Sequence, residues 1–182
     1  MDIDPRLHFV VVTGIIVKDP SAGSGQAPRR CSGQTPRRCS GQGVDHKFLI
    51  AKRAAHEKAH PNKWTVPGGK LVRHEYETLP KTADYGQWYN VVDWVLRKEI
   101  REEVGLEIGD PRYLTDLVFI RPDGYPVVTL SYWCRYKSGE VVLGKDLTEF
   151  AWVTLEEAKK YDLIDGIWEE LRSVNELLAT QS

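Results

Sequence analysis

Leu7 to Val17 reads LHFVVVTGIIV, with apolar residues at odd and even positions alike. A strand alternates its side chains between two faces, so a run without alternation predicts a strand covered on both. That one segment excludes a sheet with an open wet face and points to layers, with helices on each side of a central sheet. Lys47 to Lys52 (KFLIAK) has the same character and predicts a partner strand. Further strands are expected at Trp64–Val66, Tyr113–Arg121, Tyr125–Tyr136 and Glu149–Val153. One helix is expected from Asn90 to Gly105, with Val91, Val92, Val95, Leu96 and Ile100 at helical spacing and Asn90 and Asp93 forming a capping box. Thr154 and Glu157 open a short helix in the same way, and a last helix runs from about Asp165 to Ala179. The predicted class is α/β (α+β), a helix–sheet–helix sandwich around a mixed central sheet. At 182 residues the chain is read as a single domain, 1–182.

Two stretches do not fit a layered core. Ala27 to Gln34 (APRRCSGQ) is followed by Thr35 to Gln42 (TPRRCSGQ), a near-perfect direct repeat rich in Gly, Ser, Pro and Arg. Residues 20–44 are therefore expected to be a disordered loop enlarged by duplication. Residues 76–90 mix Pro, Asp, Gly and aromatics without periodicity and read as a second loop.

The chain has 25 Lys+Arg against 26 Asp+Glu, a net charge of −1, so there is no global pull toward nucleic acid or an anionic membrane. The four arginines of the repeat, Arg29, Arg30, Arg37 and Arg38, do not change that balance, and nucleic acid is not expected as a partner. No apolar run is long enough to span a bilayer, and the first residues lack a signal peptide's basic and apolar regions. The reading is a cytoplasmic protein. Three cysteines, Cys31, Cys39 and Cys134, are too few and too oddly spaced for a disulfide framework or a zinc site, and Cys134 reads as a core thiol.

The chemistry is concentrated in Lys98-Glu-Ile-Arg-Glu-Glu-Val-Gly-Leu106. Glu99, Glu102 and Glu103 share one side of a helix, where like charges three and four apart repel. They also sit in the last turn, where the helix dipole is negative. Such an arrangement calls for an outside cation, and a hard divalent ion bound together with phosphates is the natural one. Upstream, Pro67-Gly68-Gly69 allows backbone to come close to a ligand or another strand.

Gly69-x5-Glu75 followed by Lys98-Glu-Ile-x-Glu-Glu-x-Gly-Leu106 resembles the Nudix box, G-x5-E-x7-R-E-U-x-E-E-x-G-U with U aliphatic. The match departs from the pattern twice. Twenty-two residues separate Glu75 from Lys98 where the family has seven, an insertion of 15 within about 76–90, and Lys98 replaces the family's Arg. The resemblance implies a Nudix hydrolase: a metal-dependent pyrophosphohydrolase that cleaves a nucleoside diphosphate linked to another moiety, with Mg²⁺ or Mn²⁺ as cofactor. It implies Glu99, Glu102 and Glu103 as metal ligands, with the Gly68 carbonyl as a further one. The general base is Glu99 or a later glutamate, for which Glu149 is the candidate. The place of Glu75 is left open by the insertion.

Around that centre, Arg73 is a candidate phosphate contact, the alternative being a solvated turn. Trp88 and Tyr89 are candidates to stack on a nucleobase, the alternative being anchors of their own loop. His56 and His60 are four apart, but a surface loop explains them better than a metal pair. Pro122 lies 16 residues beyond Leu106, where the family associates a proline with ADP-ribose hydrolysis, although Pro122-Asp-Gly124 is also an ordinary turn. The expected substrate is ADP-ribose or a nucleotide sugar. The alternatives are a nucleoside triphosphate and, in a different class, a module that binds nucleotide without cleaving it. A homodimer is kept as an option.

Overall fold

The computed structural model describes residues 7–19 and 45–181. The arginine-rich repeat with Cys31 and Cys39, and the expected loop 20–44, lie outside them. In chain order the elements are β1 (Phe9–Lys18), β2 (Lys47–Arg53), β3 (Trp64–Thr65), β4 (Gly68–Lys70), α1 (Arg73–Tyr76), α2 (Val91–Val104), β5 (Glu107–Ile108), β6 (Arg112–Ile120), β7 (Pro126–Ser138), β8 (Leu147–Val153), α3 (Leu155–Ala158) and α4 (Ile167–Thr180).

β1 organises the sheet. It runs parallel to β7 over nine registered pairs, from Phe9 opposite Val127 to Val17 opposite Arg135. Its other edge is shared by β2 near Val17 and by β4, which sets Val11, Val12 and Thr13 opposite Lys70, Gly69 and Gly68. β8 and β3 pair with β2, and β6 and β5 with β7, so the sheet is mixed, as expected.

The even spread of apolar residues along β1 has its cause in two cores. Val12 and Ile16, with Leu49 and Ala51 of β2, pack against Val95, Leu96, Ile100 and Val104 of α2. Ile15 and Val17, with Phe48 and Ile50, pack against Leu171, Val174 and Leu178 of α4. Each fully buried aliphatic side chain contributes about 1.5–3 kcal/mol, which is what holds a helix to each face. Cys134 is fully buried in the α2 core.

The start of α2 differs from expectation. Asn90 precedes the helix in a left-handed conformation (φ 61°) and makes no side-chain cap. Asp93 is held instead by the Arg97 guanidinium at 2.9 Å, so the reciprocal box does not form. The other end is as read: Gly105 closes α2 at φ 69°, and Thr154 and Glu157 do form a capping box. Three short elements, β4, α1 and β5, were not anticipated. Among the described residues no helix is long and apolar enough to cross a membrane.

Candidate metal and phosphate site

Gly14 of β1 sets how closely α2 approaches the sheet. A Cβ there would lie 2.9 Å from Ile100 Cδ1 and 3.0 Å from Leu96 Cδ1, so the helix settles directly over the strand. One residue earlier, Thr13 is in register with Gly68. The glycine pair and the carboxylate face of α2 are thereby pressed together. The Gly68 amide donates to Glu103 Oε2 at 2.9 Å. A Cβ on Gly69 would run into the Glu99 carboxyl, and one on Gly68 would lie 2.8 Å from the Thr13 Cα. Neither position has room for a side chain.

Lys98 draws in the rest. Its ammonium lies 3.3 Å from Glu75, 3.2 Å from Glu99 and 3.1 Å from Glu102. Glu75, which the 22-residue gap left without a secure place, is thus restored to the cluster. Burial works against the ammonium, but the hydrogen bond to Glu102 and the charge of Glu99 hold its pKa above the ordinary lysine value. Burial raises Glu99 despite Lys98 beside it. Burial pushes Glu103 up to about 7, against the opposing Gly68 amide. Glu75 Oε2 is buried without a partner. Among the described residues, three carboxylates share one ammonium and Glu103 has only the Gly68 amide, and this deficit of positive charge suits a divalent cation with oxygen ligands.

The end of α2 recruits a further acid. The Glu103 and Val104 carbonyls accept from the amides of Gly144 and Val142, so the β7–β8 connection caps the helix. That places Asp146 beside the β2 end, where Ala54 N–H donates to the Asp146 carbonyl. His56, Glu57 and Asp146 bring ligand atoms within 4.8 Å of one another, a second group able to hold a cation. Glu57 is paired with Arg53. Glu57 and Asp146 had not been singled out; they converge only through the helix-capping loop, which leaves no local sequence pattern. His56 and His60 lie in a turn, not on a helix, and only His60 faces the cavity.

A cavity of about 390 Å³ opens over these groups. Gly68, Gly69, Glu99, Glu103 and Asp146 line it on one side, and Val11, Leu117 and Phe119 supply an apolar floor. Several expected residues lie elsewhere. Arg73 is exposed and pairs with Glu77 at 2.9 Å. Glu149 pairs with Lys52 at 2.7 Å on the outer part of β8. Trp88 packs edge-on against Tyr76 with ring centroids 5.6 Å apart and donates to the Leu79 carbonyl at 3.0 Å. Tyr89 is exposed and donates to the Gln87 side chain at 3.1 Å. None of the four lines the cavity.

No family model matches the chain. Among curated proteins, the nucleoside triphosphatase NudI of Klebsiella pneumoniae strain 342 is 27% identical over 126 residues, 64% of this chain and 79% of that protein. Among solved structures, the MutT protein of Methanosarcina mazei Go1 aligns with a TM-score of 0.62 at 17% identity, covering 96% of this chain and 99% of that one. The NUDIX domain of Shewanella oneidensis NrtR, in complex with ADP ribose, aligns with a TM-score of 0.64 at 12% identity, covering 97% and 94%. The architecture described above is therefore a known one.

Proposed function

We propose, on the premise that the chain is a Nudix hydrolase in box, fold and relatives, that it hydrolyses a pyrophosphate bond in a nucleotide at the Glu99–Glu103 cluster. One observation carries this: Lys98 gathers Glu75, Glu99 and Glu102 across the interruption of the box, while Gly68 holds Glu103. A module that only bound nucleotide would not need so many clustered carboxylates.

Glu99, Glu102 and Glu103, with the Gly68 carbonyl, are the groups to hold Mg²⁺ or Mn²⁺. When bound, the ion supplies charge neutralisation at the phosphate oxygens and lowers the pKa of a bound water. The chain's own part is positional. The Gly68 amide fixes one Glu103 oxygen, and Gly69 leaves the space that the Glu99 carboxyl occupies. Lys98 keeps Glu75, Glu99 and Glu102 from splaying apart. For the general base, Glu99 lines the cavity. The later glutamate, Glu149, pairs with Lys52 away from the cavity, whereas Asp146 lines it and is the second candidate for the base.

Two substrate readings follow. A nucleoside triphosphate is favoured by the curated relative, itself a nucleoside triphosphatase. ADP-ribose or a nucleotide sugar is favoured by the structural neighbour that binds ADP ribose. Pro122 adds little to the second, because it is exposed in the turn that Gly124 closes at φ 84°. A cytoplasmic setting and an optional homodimer belong to the same proposal.

The test is a panel of nucleoside triphosphates, ADP-ribose and nucleotide sugars with Mg²⁺ or Mn²⁺, read as released phosphate after phosphatase coupling. Glu102→Gln and Glu103→Gln should each lower turnover by roughly two orders of magnitude or more. Near-normal turnover in both variants would refute the assignment.

A further inference from the structure

The cavity is also lined by a carboxyl that the hydrolytic cluster does not use. Glu170 projects from the first turn of α4 and lines the cavity with Thr129 and Ile167. Ser131, fully buried on β7, donates its hydroxyl to Glu170 Oε2 at 2.5 Å. Among the described residues no Lys or Arg is paired with it. Burial raises its pKa, opposed in part by the Ser131 hydroxyl.

The helix dipole does not account for an inward carboxyl. An acidic residue in the first turn is favourable, but Glu169 already meets that preference from an exposed position. Turning Glu170 into an apolar-walled cavity costs desolvation, which a ligand with matching donors would offset.

Its position fits a nucleoside. On β1, Thr13 is in register with Gly68 on one side and Ser131 on the other. Two strand spacings place Ser131 about 10 Å across the sheet from the glycine turn. A nucleotide whose phosphates sit at Glu99 and Glu103 would extend its sugar over Val11 and bring its base to Glu170.

Resting on the hydrolase reading above, we propose that Glu170, oriented by Ser131, reads the substrate's base and selects one with two adjacent N–H donors, as on guanine's Watson–Crick edge. An ionised carboxylate only accepts hydrogen bonds, and its two oxygens match a parallel donor pair. Each oxygen has two acceptor sites, so the Ser131 bond leaves both available. Guanine offers N1–H beside its 2-amino group. Adenine sets the N1 lone pair against the carboxylate, and hypoxanthine keeps N1–H but lacks the second donor.

Calorimetry with GDP, IDP and ADP on the full chain tests this, beside hydrolysis of GTP, ITP and ATP. GDP should bind about tenfold or more tightly than IDP or ADP, because unpaired groups in a polar subsite are costly. Glu170→Ala should bring the three within about threefold of one another while the Tm holds or rises. Glu170→Gln keeps the shape and should lose the preference too, which covers the case of an alanine variant that does not fold. Equal GDP and ADP affinities, or a preference surviving both substitutions, overturns the assignment. Hydrolysis of all three triphosphates without preference overturns the base reading and leaves the hydrolase reading. Selective GDP binding without any hydrolysis does the reverse.

Discussion

Gly69 offers a way to disturb the proposed metal site without removing a single carboxylate. An added Cβ would lie 2.5 Å from Glu99 Cγ and closer still to the carboxyl. Ordinary carbon–carbon separation is about 3.5–4.0 Å, so the Glu99 side chain must retreat by about 1 Å or more. The backbone at Gly69 is not left-handed, and the group struck is the end of a flexible side chain. Gly69→Ala should therefore fold, with stability changed by less than about 1 kcal/mol. A displacement of about 1 Å at a catalytic group costs about a hundredfold in rate, and kcat should fall accordingly, with weaker Mn²⁺ binding. Gly68→Ala is the matched contrast. Its Cβ would meet the Val12 carbonyl and the Thr13 Cα, which cannot swing aside, so strand pairing must shift. That variant should lose about 1–3 kcal/mol or more of stability. Turnover with the best substrate, Mn²⁺ affinity and urea unfolding, measured on both variants, give the answer. Wild-type turnover in Gly69→Ala, or equal destabilisation by the two substitutions, would refute the reasoning.

Lys98→Met leaves Glu75, Glu99 and Glu102 facing one another; in chelator, urea unfolding should show a loss of about 1–3 kcal/mol, and added Mn²⁺ should restore part of it. Trp88→Ala removes the contact to Tyr76 and the bond to Leu79, so hydrogen exchange should accelerate across residues 76–90 while KM stays within about twofold. A raised KM with unchanged exchange would instead put Trp88 at the substrate. Burial pushes the Cys134 thiol up to about 12, so it stays protonated through the neutral range. In a Cys31→Ser, Cys39→Ser background, a thiol reagent should react at pH 8 only after unfolding, and prompt native-state labelling would contradict the packing.

The layered fold was legible because both cores write their pattern into β1 and α2: a strand with no polar side, and a helix with Val95, Leu96 and Ile100 on one face and three glutamates on another. β4 was not legible, since Gly68-Gly69-Lys70 has no alternation and becomes a strand only by pairing with Val11–Thr13. The Asn90 cap failed because a left-handed backbone points the side chain away from the amides it would serve. At the site, Glu99 and Glu103 were found from helical spacing. Asp146 was not, because it arrives through main-chain bonds that cap α2, which any sequence could make. Residues 76–90 looked patternless because their order is a private hairpin, with Thr82 N–H donating to the Gln87 carbonyl and Ala83 bridging Gln87.

The pairing of β1 with β7 has a kinetic consequence. Phe9 and Val127 stand opposite each other although 118 residues separate them. Parallel pairs of that sequence separation form late, because loop-closure entropy must be met before their contacts reward it. The glycine turn is built on one edge of β1 and the Ser131–Glu170 pair on the other. A nascent chain released only as far as α2 would hold the glutamates, yet lack the strand that completes the cavity floor. The proposed cation site and the proposed base subsite would therefore mature together, late in folding. Slow-phase refolding amplitude should coincide with recovery of nucleotide binding, ahead of which helical structure is already in place.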